Sequence, residues 1–276
     1  MREQKTITIF KFFGAVFLLL FCILPFVWMI VISLTKNPDF FASGQSASFT
    51  ISNYTDLLSN GSTHLIDYLR NSLIVSIVSA ICATLFASFS AYAITRLNFP
   101  GRILIPLVLL AFSMFPQISI IGYLFKLMTR LGWINTYYAL IFPYITLGLP
   151  LALWIMLSYL SRLSSELDKA ALVDGATRLQ VLLKIIFPIA LPGIFSTFML
   201  ILIYSFNEFL FALMLTIDYK ARTIPVGIAL FEGLHGQIPW GYIMASAVIA
   251  VVPLIILIAF FQRYIIQGLT EGAVKG

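Results

Sequence analysis

Glu208 is the one acidic residue inside the long, otherwise uncharged blocks of this sequence, in the run Asn207-Glu208-Phe209-Leu210-Phe211-Ala212. In lipid a carboxylate costs about 2.5–3.5 kcal/mol on insertion scales, so it needs a task or a partner. Two readings fit. Glu208 and Asn207 bond the hydroxyls of a polar solute in a pathway, or Glu208 seals against a neighbouring helix. Tyr204 and Phe211 fall on the Glu208 side at helical spacing, and Gln117 is a further polar residue in an earlier apolar block. Aromatic rings stack on carbohydrate, but among 25 Phe, 12 Tyr and 4 Trp, packing is the commoner role for any one of them.

A second constellation runs from Arg162 to Lys184, in Ser164-Ser165-Glu166-Leu167-Asp168-Lys169-Ala170-Ala171-Leu172-Val173-Asp174-Gly175-Ala176. Ser165 with Asp168 reads as a capping box. Leu163, Leu167, Ala170, Ala171 and Asp174 follow helical spacing and make a small-residue face with polar edges. Gly175 stops the helix if it turns left-handed. A second amphipathic stretch, Leu179–Lys184, leads back into an apolar block. Such a helix–turn–helix either rests on lipid or docks a soluble partner. The paired alanines favour docking, because small side chains admit another backbone.

Other chemistries lack their residues. No GxxxxGK[ST] loop is present to cradle a nucleotide phosphate, and no HExxH to hold zinc. His64 and His235 stand alone, and Cys22 and Cys82 lie in apolar runs. The 17 Lys and Arg outnumber 11 Asp and Glu, but no stretch is basic enough to follow a nucleic acid backbone.

The elements that hold these residues are membrane spans. Charged residues make up 10% of the chain and apolar ones 61%, and mean hydropathy is +1.01, more apolar surface than a water-soluble fold can hide. Phe12–Thr35, Asn71–Thr95, Ile103–Phe125, Leu131–Ser161, Ile185–Ile217 and Gly236–Gln262 each exceed the ~20 residues needed to cross a bilayer. The start of the fourth, Leu131–Thr136, reads as a turn. The first is too long for a signal-peptide core of about 7–15 residues and is followed by no small-x-small cleavage site, so it reads as a retained helix. With both termini in the cytoplasm, eleven Lys and Arg lie inside, including Arg96, Arg102, Arg162, Lys169, Arg178 and Lys184, against six outside. This places the Arg162–Lys184 loop inside. The prolines within spans, among them Pro25, Pro116, Pro150 and Pro188, suit kinked helices, although packing alone accounts for most of them. Lys36–Arg70 reads as a surface excursion with little core, and Ile217–Trp240 as a long outside loop.

Lys169-Ala170-Ala171, Gly175, Ile185 and Pro188 reproduce the spacing E-A-A-x3-G-x9-I-x-L-P, with Lys169 at the usual Glu and Phe187 at the usual Leu. This resembles the cytoplasmic signature of binding-protein-dependent ABC importer permeases. Asn71-Ser72-Leu73, Ala91-Tyr92-Ala93 followed by Arg96, Pro143-Tyr144, the Asn207–Ala212 run and the tail Gly268–Gly276 are similar to the carbohydrate branch, specifically the second permease subunit of maltose-type sugar importers. The resemblance implies a non-enzymatic subunit forming half of a sugar pathway with a second, homologous permease. Two ATPase subunits would carry ATP and Mg, and an extracytoplasmic solute-binding protein would deliver the sugar. It implies that Glu166, Asp168, Lys169, Ala170, Ala171, Asp174, Gly175 and Pro188 couple this chain to an ATPase, and that the tail reaches the ATPase interface.

The expected protein is all-α and polytopic, with six transmembrane helices and a cytoplasmic coupling helix, in the cytoplasmic membrane. Residues 1–67 form an N-terminal segment with the first helix and an outside loop, 68–265 the transport domain, and 266–276 a cytoplasmic tail. It binds no cofactor, metal or nucleic acid itself. One rival keeps the importer and changes the cargo, for example to glycerol phosphate. The other is an ion-coupled carrier, which needs midplane ion ligands beyond Glu208.

Overall fold

The computed structural model describes residues 2–36, 48–59, 61–231 and 238–270; the side chains of 2–10, 62 and 264–270 are outside that description. Glu232, His235, and Glu271 to Gly276 of the tail therefore lie outside the described residues. The described chain is helical, with one isolated bridge between Thr35 and Phe49. Five helices are long and apolar enough to cross a membrane, and a bent pair makes a sixth span if counted as one.

The chain divides into two compact units. In the first, Met1–Leu65 with Ile228–Val252, α1 (Arg2–Ser33) carries its apolar side chains outward, Phe21 at 70% and Leu24 at 66% exposed. Such a surface belongs in hydrocarbon or against another membrane chain. The end of α1 is stapled by α2 (Ser52–Ser59). Asn53 Nδ2 donates to the Ser33 and Thr35 carbonyls at 2.8 and 3.1 Å, satisfying acceptors that a helix end leaves open. Leu57 is buried beside it. The excursion after α1 thus has a small anchored core, more than the sequence suggests, because Asn53 and Leu57 lie on the buried face of α2.

The second unit, Ile66–Gly227 with Pro253–Gly276, contains most of α3 (Leu65–Arg96) and all of α6 (Tyr137–Leu160) and α9 (Phe187–Phe206). Along α3, Ser72, Ser76, Ala80, Ala83, Ala87 and Ala91 are buried at three- and four-residue spacing. Without a hydrophobic driving force between helices in lipid, small side chains gain stability by letting backbones approach. At Gly148 of α6 an added Cβ would lie 3.0 Å from Ile201. At Gly193 of α9 it would lie 2.5 Å from the Tyr159 ring. Both glycines are therefore packing requirements of the α6–α9 contact.

Two expected spans are broken. Ile103–Phe125 is not one helix: α4 (Leu104–Ser113) and α5 (Gln117–Leu131) meet at 93°. Pro116 has no N–H and disfavours helical backbone at Phe115, and its own ψ of 122° is extended. Likewise Ile185–Ile217 stops at Phe206 and resumes as α10 (Leu210–Leu215). Non-helical backbone at membrane depth is tolerated only where protein covers it or it lines a watered cavity. The turn before α6 forms as expected, with Gly132 at φ +69° and Asn135 at φ +62°.

Candidate functional site

The Arg162–Lys184 loop begins with α7 (Glu166–Val173). Its two ends are built differently from expectation at the start and as expected at the finish. Ser165 is helical and its side chain caps nothing; the backbone N–H of Glu166 is instead accepted by Ser164 Oγ at 3.2 Å. Asp168 cannot close a box with Ser165 because it turns inward. The capping box sits one helix later, where Thr177 Oγ1 accepts from Gln180 N–H and Gln180 Oε1 accepts from Thr177 N–H. Its Thr-x-x-Gln spacing was readable in sequence. At the other end Gly175 has φ +86°, with Gly175 N–H on the Leu172 carbonyl and Ala176 N–H on the Ala171 carbonyl. That pair of bonds is a Schellman closure, and it requires the left-handed residue.

The expected small-residue face is split. Ala171 is buried with Asp168, whereas Ala170, Lys169, Asp174 and Val173, the last 87% exposed, face outward. Lys169 Nζ pairs with Glu166 Oε1 at 2.9 Å on this outer side. Both side chains are well exposed, so solvent screening leaves the pair a few tenths of a kcal/mol. Lys169→Glu should change transport by less than about twofold, since the pair it breaks is screened and Glu is the residue that the resembled E-A-A signature carries at this position; uptake per assembled complex checks it. After α8 (Arg178–Val181), Leu182–Ile186 winds as a π-helix that ends just before Pro188, near the start of α9.

Asp168 is the structurally informative residue of the loop. It is 3% exposed, accepts from Tyr92 Oη at 3.0 Å on Oδ1, and meets Arg96 Nε at 3.1 Å on Oδ2. The Arg96 approach is a charge contact rather than an aligned hydrogen bond. Arg96 Nη2 also donates to the Leu163 carbonyl at 2.7 Å. Removing one member of a buried pair typically costs about 3–5 kcal/mol. Tyr92 and Arg96 end α3 and came out of the sequence only as motif and topology residues. A buried acid in an amphipathic helix signals that a partner exists, but not which one.

The apolar-block residues separate into two groups. Glu208 is 8% exposed and fully engaged within the chain: Oε2 accepts from Tyr144 Oη at 2.6 Å and from Ala212 N–H at 3.2 Å, and Oε1 from Phe211 N–H at 2.8 Å. In an unbroken helix those two N–H groups would bond the carbonyls of Asn207 and Glu208. The carboxylate takes them instead, so the side chain itself holds the break open. Helical spacing therefore does not run through Glu208, and Phe211 is buried at 2% exposure in a core with Tyr144, Leu140 and Leu215. Tyr204 and Asn207 are exposed, Gln117 is half-buried, and Gln117 Nε2 donates to Tyr204 Oη at 3.1 Å. Polar residues beside both helix breaks thus meet across 87 positions of sequence.

On the side carrying Ile217–Arg222, Asn135 Oδ1 accepts from the N–H groups of Ile217 and Asp218, and its Nδ2 donates to Asp218 Oδ1. That amide bond, then the Lys220 N–H, holds the Asp218 carboxyl below its usual pKa. Asn71 Nδ2 donates to the Tyr219 and Arg222 carbonyls.

A bundle of membrane helices, two of them broken, joined by a helix that shows an apolar and polar face outside the bundle, defines a membrane permease component. The family model for the inner membrane component of binding-protein-dependent transport systems matches residues 8–271, and the chain belongs to that family. It is 49% identical over 277 residues to the trehalose/maltose transport system permease protein MalG of Thermococcus litoralis, with both chains covered in full. It is 36% identical to the trehalose transport system permease protein SugB of Mycobacterium tuberculosis, covering 93% of each. A crystal structure of a bacterial ABC transporter that imports the acidic polysaccharide alginate shares the fold, with a TM-score of 0.77 over 96% of this chain and 98% of that one at 19% identity.

Proposed function

We propose that this chain is one permease subunit of an ATP-driven sugar importer, forming half of the pathway for a maltose- or trehalose-like sugar beside a second permease. The observation that carries this reading is the Schellman-closed docking helix α7, presented outward on a chain that contains no phosphate-cradling loop of its own. Two partner ATPases bind ATP and Mg, and a binding protein delivers the sugar outside. Similarity over 93–100% of the chain to a trehalose/maltose permease and a trehalose permease supports the cargo. Glu166, Lys169, Ala170, Asp174 and Gly175 meet the ATPase, while Asp168, Ala171 and Pro188 serve that contact from within. Residues 68–265 are the transport domain and 266–276 a tail toward the ATPases.

In the pathway, Gln117, Tyr204 and Asn207 touch sugar hydroxyls, supported by the exposure of Tyr204 and Asn207 and by the bond from Gln117 to Tyr204 beside the two helix breaks. Glu208 and Phe211 act from behind, holding the broken span in shape.

The test is uptake of labelled trehalose or maltose into proteoliposomes with the full complex. Uptake should need ATP, the ATPases and the binding protein together. Uptake by this chain alone under an ion gradient would favour the carrier instead.

Topology is tested separately. In a variant lacking Cys22 and Cys82, a cysteine at Ser48 should react with an impermeant thiol reagent in intact cells and one at Thr177 should react only after permeabilisation. Both positions are solvent-exposed. Labelling at Thr177 in intact cells would invert the orientation.

A further inference from the structure

The docking loop joins the bundle in two ways. Along the chain it reaches α9 through the π-wound Leu182–Ile186, a wider winding that is rare and frequent at functional sites. Across the fold it is held by Asp168, buried between Tyr92 and Arg96 at the end of α3, with Arg96 also bonding the Leu163 carbonyl. Tyr92 and Asp168 are buried and the Arg96 side chain is only 9% exposed, so water competes little for their contacts. Such a cluster has few arrangements, and a helix tied by it moves with its neighbour.

From this we propose that Tyr92, Arg96 and Asp168 form a rigid joint through which α7 drives α3, while the π segment lets α9 follow with slack. The three are positioning residues: they touch neither sugar nor nucleotide, but decide which span the docking helix moves. The proposal rests on the importer reading above and adds the span that receives the stroke.

The readout is sugar moved per ATP hydrolysed by the reconstituted full complex, with complex abundance measured separately. Asp168→Asn preserves shape and removes the charge; Tyr92→Phe removes one hydroxyl. Both should assemble and lower sugar per ATP, Asp168→Asn by at least about fivefold, the low end of coupling between sites. Exchanging the pair, Arg96→Asp with Asp168→Arg, should recover part of the loss seen in Asp168→Asn. An unchanged ratio in assembled Asp168→Asn and Tyr92→Phe complexes overturns the joint. So does failure of every variant to assemble, which would make the cluster a folding element only. If the unaltered complex shows no ATP-dependent uptake, the importer reading itself fails, an outcome distinct from either of these.

Discussion

Gly175→Val abolishes transport, with uptake per complex down at least about tenfold, while the chain still inserts in the membrane. The reason is backbone geometry. Gly175 sits at φ +86°, and a Cβ built there meets nothing within 4 Å, so crowding is no part of the cost. A side chain in left-handed backbone costs about 1–2 kcal/mol, and a β-branched one more. The helix escapes that strain by leaving the Schellman closure, freeing the Leu172 and Ala171 carbonyls and swinging α7 away from the Thr177 cap. A graded series separates this account from simple bulk. Gly175→Asn, which tolerates left-handed backbone, should retain most uptake, Gly175→Ala less, and Gly175→Val almost none. Equal uptake for Asn and Val at equal complex abundance would show that the turn has no part in coupling.

The second large effect is at Glu208, and it should appear in assembly before turnover. Glu208→Ala strands Tyr144 Oη and the N–H groups of Phe211 and Ala212, each buried. An unsatisfied buried donor costs about 1–3 kcal/mol, and three together rival the stability of a domain unless the broken span straightens. Straightening returns both N–H groups to the helix ladder but carries Asn207 and α10 to new positions. Glu208→Gln keeps one accepting oxygen and turns an amide N–H₂ toward donors, so it falls between. Tyr144→Phe removes one bond only and should be mildest. The order Glu208, Tyr144→Phe, Glu208→Gln, Glu208→Ala should hold for the amount of complex recovered from membranes. Abundance unchanged in Glu208→Ala, with uptake lost, would make Glu208 a substrate ligand and not the clasp of the break.

Much of this protein follows from local rules. Long uncharged blocks require a bilayer, and their lengths locate the spans, because each helix satisfies its own backbone wherever lipid offers no partner. Gly175 is legible for the same reason: a helix stop depends on one residue's allowed φ. The break at Pro116 was half legible, since the proline is visible but proline alone often only kinks a membrane helix. The break at Asn207 was not. It depends on a carboxylate that takes its neighbours' N–H groups and leans on Tyr144, 64 positions away.

The division of the loop residues shows the same boundary. Helical spacing put Asp168, Ala170 and Ala171 on one short helix, and that is where they are. Which of them faces the bundle was decided by Tyr92 and Arg96, 76 and 72 positions earlier in the chain. Gln117 and Tyr204 likewise meet only because the helices carrying them are packed together. Sequence determines what each turn of backbone can do with its own atoms. Partners for a buried charge or a polar side chain are drawn from any part of the chain, and only the tertiary packing of the helices brings a particular one within 3 Å.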